Sequence, residues 1–179
     1  MDKETKERWN RINRAACYYF AGQTVIYGLG GIEYEEVILT PDDPEIAGEI
    51  TKINKRLSTM LINSNHDELS LRDKIEKIVR GLMAAKIAEN RFMARFENDW
   101  GEDWLQEFME GEVDKEIRDY FNILSPWKNE EEIWAYAELL SVQTEHLVDQ
   151  HWGIIKRVAQ GVYRRHRMSR KEVEAFMAA

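Results

Sequence analysis

Between residues 11 and 43 the chain passes through three local patterns in quick succession. Ile12, Ala15, Ala16, Tyr19, Gln23, Ile26 and Tyr27 recur at spacings of three and four, and all but Gln23 are apolar or aromatic. That spacing predicts a first helix over residues 2–28 with one buried face. Gly30 and Gly31 then supply the backbone freedom that stops a helix. Residues 33–39 alternate, with Ile32, Tyr34 and Val37 among strand-forming side chains, which predicts a short strand. Thr40-Pro41 and Asp43-Pro44 each pair an N-cap residue with a proline suited to the first helical position. A chain that must accommodate helix, glycine stop, strand and a new helix start in this order is mainly helical with one small β element.

The remaining helices follow from the same periodicity. A second is expected over residues 44–63, with Ile46, Ile50, Ile53, Leu57 and Met60/Leu61 on one stripe. A third opens at Ser70 with Asp73 three residues on and runs to residue 96, with Ile75, Ile78/Val79, Leu82, Ala85 and Ala88/Glu89 on its buried side. A fourth, acidic helix covers residues 103–124, with Trp104, Phe108, Val113, Ile117 and Phe121 inward. Ser125-Pro126 is expected to cap a fifth, reaching residue 165 and weakened at Gly153. Ser169 and Glu172 form an S-x-x-E capping box for a short last helix.

At 179 residues and 21.2 kDa a single domain over residues 1–179 is the natural count. The one cysteine, Cys17, allows no disulfide within the chain. With no apolar run long enough to span a bilayer and no apolar signal core at the N-terminus, a cytoplasmic location is expected. The net charge of −8 hides an asymmetry. Residues 97–119 hold ten acids against Lys115 and Arg118, whereas residues 156–171 hold seven Lys or Arg and no acid. Two solvated helix faces that pair with each other would explain this, and so would a face reserved for a charged partner.

Ala16-Cys17-Tyr18-Tyr19-Phe20-Ala21-Gly22-Gln23-Thr24-Val25-Ile26 resembles the A-x-H-E-A-G-H-A-V helix that opens the peptidase domain of FtsH-type, AAA-linked metalloproteases. That family ends its helix near Leu-Gly and continues into a strand, as here. Ala85-Lys86-Ile87-Ala88-Glu89 is similar to the family's G-G-R-x-A-E helix, which packs beside the zinc helix. Gly101-Glu102-Asp103 is similar to the element carrying the third zinc ligand, with Asp99 as a rival register for Asp103. Residues 151–159 and 167–173 resemble the closing helices. The resemblance implies a zincin-like, FtsH-peptidase-type helical domain whose degenerate former site is Tyr19, Phe20, Gln23 and Asp103. Both metal-binding histidines fall on Tyr19 and Gln23, and the catalytic glutamate falls on Phe20. The ATPase module and membrane helices that precede the peptidase in that family have no counterpart in these 179 residues.

Chemistry read from the residues themselves agrees with that loss. Phenol and amide oxygens replace imidazoles poorly on zinc, and a phenyl ring accepts no proton. The four histidines, His66, His146, His151 and His166, contain no i,i+4 pair. Gly28-Leu29-Gly30-Gly31 lacks the Lys-Ser/Thr ending of a phosphate loop. No cofactor and no metal are expected, and catalytic residues are none. The function implied is a pseudoprotease that binds a protein partner, with the strand over residues 34–39 offered as an edge to an extended peptide. The alternative is an acidic inhibitor or decoy, of the kind a phage or mobile element would carry, that blocks a partner's basic, nucleic-acid-binding surface. Its contact residues would be Trp100, Glu102, Trp104, Glu107, Glu110 and Asp114. Direct nucleic-acid binding through residues 156–171 is disfavoured by the chain's acidity.

Overall fold

The computed structural model of the chain describes residues 2–40, 48–51, 68–96, 120 and 129–178. The order of elements is α1 (Lys3–Gly30), β1 (Glu36–Leu39), β2 (Gly48–Thr51), α2 (Glu68–Met93), α3 (Glu130–Arg165), β3 (Arg167–Ser169) and α4 (Arg170–Ala178). The molecule is mainly helical with a small three-stranded antiparallel sheet.

The first helix lies at the centre. Its N-terminal part is largely solvated, but from Ala15 to Tyr27 every residue except Tyr19 is buried, and Tyr19 is half-buried. Burial on all sides rather than one stripe follows from the neighbours, because α2 and α3 both pack along it. Ile12, expected on the inner stripe, is exposed because it precedes that contact zone. The helix stops as the glycine pair predicts. Gly31 adopts φ +71°, its N–H donates to the Gly28 carbonyl at 3.2 Å, and the Ile32 N–H reaches the Tyr27 carbonyl at 2.9 Å. This is the Schellman arrangement, and it turns Ile32 back into the core.

Close contact between α1 and α2 depends on small residues. A Cβ placed on Gly22 would lie 2.8 Å from the Ala88 Cβ and clash with the Ala84 carbonyl. The helix backbones therefore approach nearly to van der Waals limits at this crossing. Ile75, Ile78, Val79, Ala85 and Ala88 are buried as the spacing predicts, and Leu82 is half-buried.

The sheet departs from expectation in three ways. Residues 48–51, expected within a helix over 44–63, form β2 instead and pair Val37 with Ile50. Arg167–Ser169 forms an unexpected third strand, pairing Val37 with Met168. The strand order is β2-β1-β3, so β1 is the central strand and is not a free edge for a peptide. Val37 and Leu39 point into the core.

The long helix also starts later than Ser125-Pro126. Asn129 caps it: the Glu132 N–H donates to Asn129 Oδ1 at 3.0 Å and the Asn129 N–H to Glu132 Oε2 at 3.2 Å. The helix runs unbroken through Gly153, which is exposed and open to solvent where a side chain would be. His166 ends it at φ 59°, and its carbonyl accepts from the Leu39 N–H at 2.8 Å, handing the chain to the sheet. The Ser169–Glu172 box forms as the sequence predicts, with the Ser169 N–H on Glu172 Oε2 at 2.8 Å. The remaining parts of the expected second helix, and the expected acidic helix apart from the helical Tyr120, lie outside the described residues.

Candidate functional site

Tyr19, Phe20 and Gln23 occupy the middle of α1, where the helix meets α2. Phe20 is a core residue, and its ring edge lies close against Gly48 of β2. Tyr19 meets Phe20 edge to face at 5.4 Å. Gln23 is buried, and its Nε2 donates to the Tyr27 hydroxyl at 2.9 Å, one turn on. A buried amide without such a partner would cost about 1–3 kcal/mol, so this bond is what lets a polar residue occupy an otherwise apolar stripe.

Tyr19 sits near Glu89 of α2, whose carboxylate is held by Lys86 at 3.2 Å. Burial, assisted by the Glu89 charge, pushes the Tyr19 hydroxyl up to about 12. The phenol is therefore neutral at ordinary pH, whereas a metal-ligating phenolate needs the opposite shift. Phe20 offers no donor. Tyr19, Phe20, Gln23 and Glu89 are brought to one region by α1 and α2, and their observed partners belong to a packed helix crossing.

Asp103, its rival Asp99, and the partner-binding candidates Trp100, Glu102, Trp104, Glu107, Glu110 and Asp114 lie outside the described residues. His146 is exposed, His151 half-buried, and His166 exposed at the turn after α3. Among the described residues no three His, Cys, Asp or Glu side chains gather as a metal site requires, and no helix is long and apolar enough to cross a membrane.

A second constellation escapes sequence reading. A cleft of about 320 Å³ lies between α1 and α3, with Arg14, Cys17, Tyr18, Tyr163 and Arg164 in its wall and Phe92 contributed by α2. Tyr18 stacks on Phe92 at 4.5 Å and on Trp152 at 5.4 Å. The Arg14 guanidinium lies over the Tyr163 ring at 5.1 Å, and Arg91 and Arg95 approach Trp152 at 4.7 and 5.8 Å. Its members are separated by up to 150 positions in sequence, and the basic run at 156–171 was the only hint of it.

Three of the seven basic residues in that run have carboxylate partners among the described residues. Arg165 pairs with Glu172 at 2.7 Å, Arg167 chelates Glu36, and Arg170 holds Glu174 at 2.6 Å and reaches Glu33. These partners come from β1, α4 and the turn before the sheet. Against known proteins, the chain matches no family model and no curated protein sequence.

Proposed function

We propose that the protein is a non-catalytic protein-binding module on a zincin-like scaffold similar to the FtsH-type peptidase domain. The observation that carries this reading is the state of the Tyr19–Gln23 turn. Its polar groups are committed to the fold: the Gln23 amide to Tyr27, and the neutral Tyr19 phenol to a half-buried place beside Glu89. The position that would hold a general base is a core phenylalanine. Further support comes from the close crossing of α1 with the helix carrying Ala85–Glu89, the neighbour that the resemblance implies.

Purified protein should hold no stoichiometric zinc and leave casein-like substrates intact; about one tightly bound zinc per chain would sink the proposal. The scaffold is tested separately by the double variant Tyr19→His/Gln23→His. On a scaffold of this type the variant gains zinc binding that falls when Asp103→Ala or Asp99→Ala is added, by more than the roughly 10–100-fold that loss of an outer-shell partner alone costs. Zinc binding indifferent to both aspartates would break the family reading while leaving the fold untouched.

The acidic-decoy reading has one observation in its favour. Arg165, Arg167 and Arg170 each have a carboxylate partner among the described residues, on β1 or α4. A basic partner surface is the natural complement of the ten acids within residues 97–119.

A further inference from the structure

The cleft between α1 and α3 has a charge unlike that of the chain as a whole. The protein carries −8, yet the cleft wall bears Arg14 and Arg164, and Arg95 lies near Tyr18. None of these three arginines has a carboxylate partner among the described residues, whereas the adjacent Arg91 is paired with Asp149. Guanidinium groups left over in an acidic protein, rimming a cavity, are placed to take an anion by paired N–H donation.

The rest of the wall narrows the ligand. Tyr18, Phe92 and Tyr163 present aromatic surface, and the Tyr18 ring is held by stacking on both Phe92 and Trp152. Arg14 lies over the Tyr163 ring, so a charged group and an aromatic surface stand side by side in the wall. Cys17 completes the floor as a buried thiol that carries no charge to repel an anion. Inorganic phosphate would use only the arginines and leave the aromatic wall uncovered. A volume of about 320 Å³ lies at the small end of ligand pockets, roughly 300–1,000 Å³, which suits one ring system and its anionic group.

We propose that this cleft is a binding site for a small anion attached to a planar ring, an aryl or nucleoside monophosphate, with Arg14 and Arg164 holding the phosphate and Tyr18 and Tyr163 the ring. The site is independent of the Tyr19–Gln23 turn and does not rest on the pseudoprotease reading.

The test is calorimetric titration of the full chain with phenyl phosphate, adenosine monophosphate, inorganic phosphate and phenol, with amide shift mapping of the wild type. One site per chain is expected for the first two ligands, about tenfold or more tighter than for inorganic phosphate, with shifts centred on residues 14, 18, 163 and 164. Arg14→Ala/Arg164→Ala, both at exposed positions, should weaken phenyl phosphate about tenfold or more. Tyr163→Leu should weaken phenyl phosphate more than it weakens inorganic phosphate. Arg72→Ala, on α2 about 30 Å from Phe92, should change nothing. Equal affinity for inorganic and phenyl phosphate, no saturable binding of either monophosphate, shifts centred elsewhere, or unaltered affinity in the double arginine variant would each overturn the proposal.

Discussion

Burial raises the Cys17 thiol to about 12, with Arg14 pulling weakly the other way, and its accessible surface is 1%. At pH 8 the thiolate fraction is then on the order of 10⁻⁴, against roughly a quarter for a thiol at its ordinary value. Alkylation by iodoacetamide should therefore be slower than in urea-unfolded protein by two orders of magnitude or more, as followed by mass spectrometry. Tyr19 is also raised to about 12, and Tyr34 is raised too, in both cases by burial first. Because these folded-state values lie above the unfolded ones, the tyrosines' contribution to stability is complete below about pH 9, and that of Cys17 below about pH 7.5. Both are lost as pH climbs toward 12, since the unfolded chain releases protons that the folded chain retains. Melting temperature should accordingly begin to decline slightly near pH 8 and fall steeply above about pH 9, and a profile flat to pH 11 would contradict the burial. At this scale the sequence speaks unevenly. The i,i+4 spacing of Tyr19 and Gln23 is visible in it, whereas the Tyr27 hydroxyl that satisfies Gln23 is one of several residues that could have done so.

Elements held by their own periodicity are the readable ones. The α1 stop at Gly31, the buried stripe of α2 and the Ser169–Glu172 cap depend on residues within a few positions of each other. The strand β2 is different: Ile46, Ile50, Ile53 and Leu57 carry helical spacing, but residues 48–51 pair with β1, so a tertiary contact overrides a local pattern. β3 has three residues, too few for any period, and exists because the His166 turn delivers it to β1. The start of α3 carried a readable signal, since Asn129 and Glu132 have the same spacing as Ser169 and Glu172. The α1–α2 crossing is where an element-level prediction is sharpest. Gly22→Val forces branched bulk against the Ala84 carbonyl and the Ala88 methyl, neither of which can swing aside. The expected cost is about 1–3 kcal/mol, measured by urea unfolding. Gly153→Ala on α3 should instead be neutral or stabilise by up to about 1 kcal/mol, because nothing stands where its Cβ would go. Equal effects of the two would mean that the helices are not in contact at Gly22.

Charge is the property of the whole molecule that its fold leaves least explained. Ten carboxylates within residues 97–119 repel one another, and the basic run that looked like their counterweight is bound to Glu36, Glu172 and Glu174 through three of its arginines. Exposed pairs contribute only about 0–1 kcal/mol each, so even complete internal pairing would stabilise modestly. Replacing Glu102, Glu107, Glu110 and Asp114 by Lys takes the net charge from −8 to zero. The melting temperature should stay within about 5 °C, as surface substitutions allow, when measured at micromolar protein to limit association near neutrality. Partner recovery from a host lysate separates the two functions. An acidic decoy loses its partner in this variant, and in the wild type loses it steeply with salt. A module that binds through a cleft keeps its partner in both conditions. Unfolding of the quadruple variant would mean that the acidic segment braces the fold. Arg165, Arg167 and Arg170 already have other carboxylates, and the pairs left to the remaining basic residues would be exposed ones, so retention of the fold is the expected outcome.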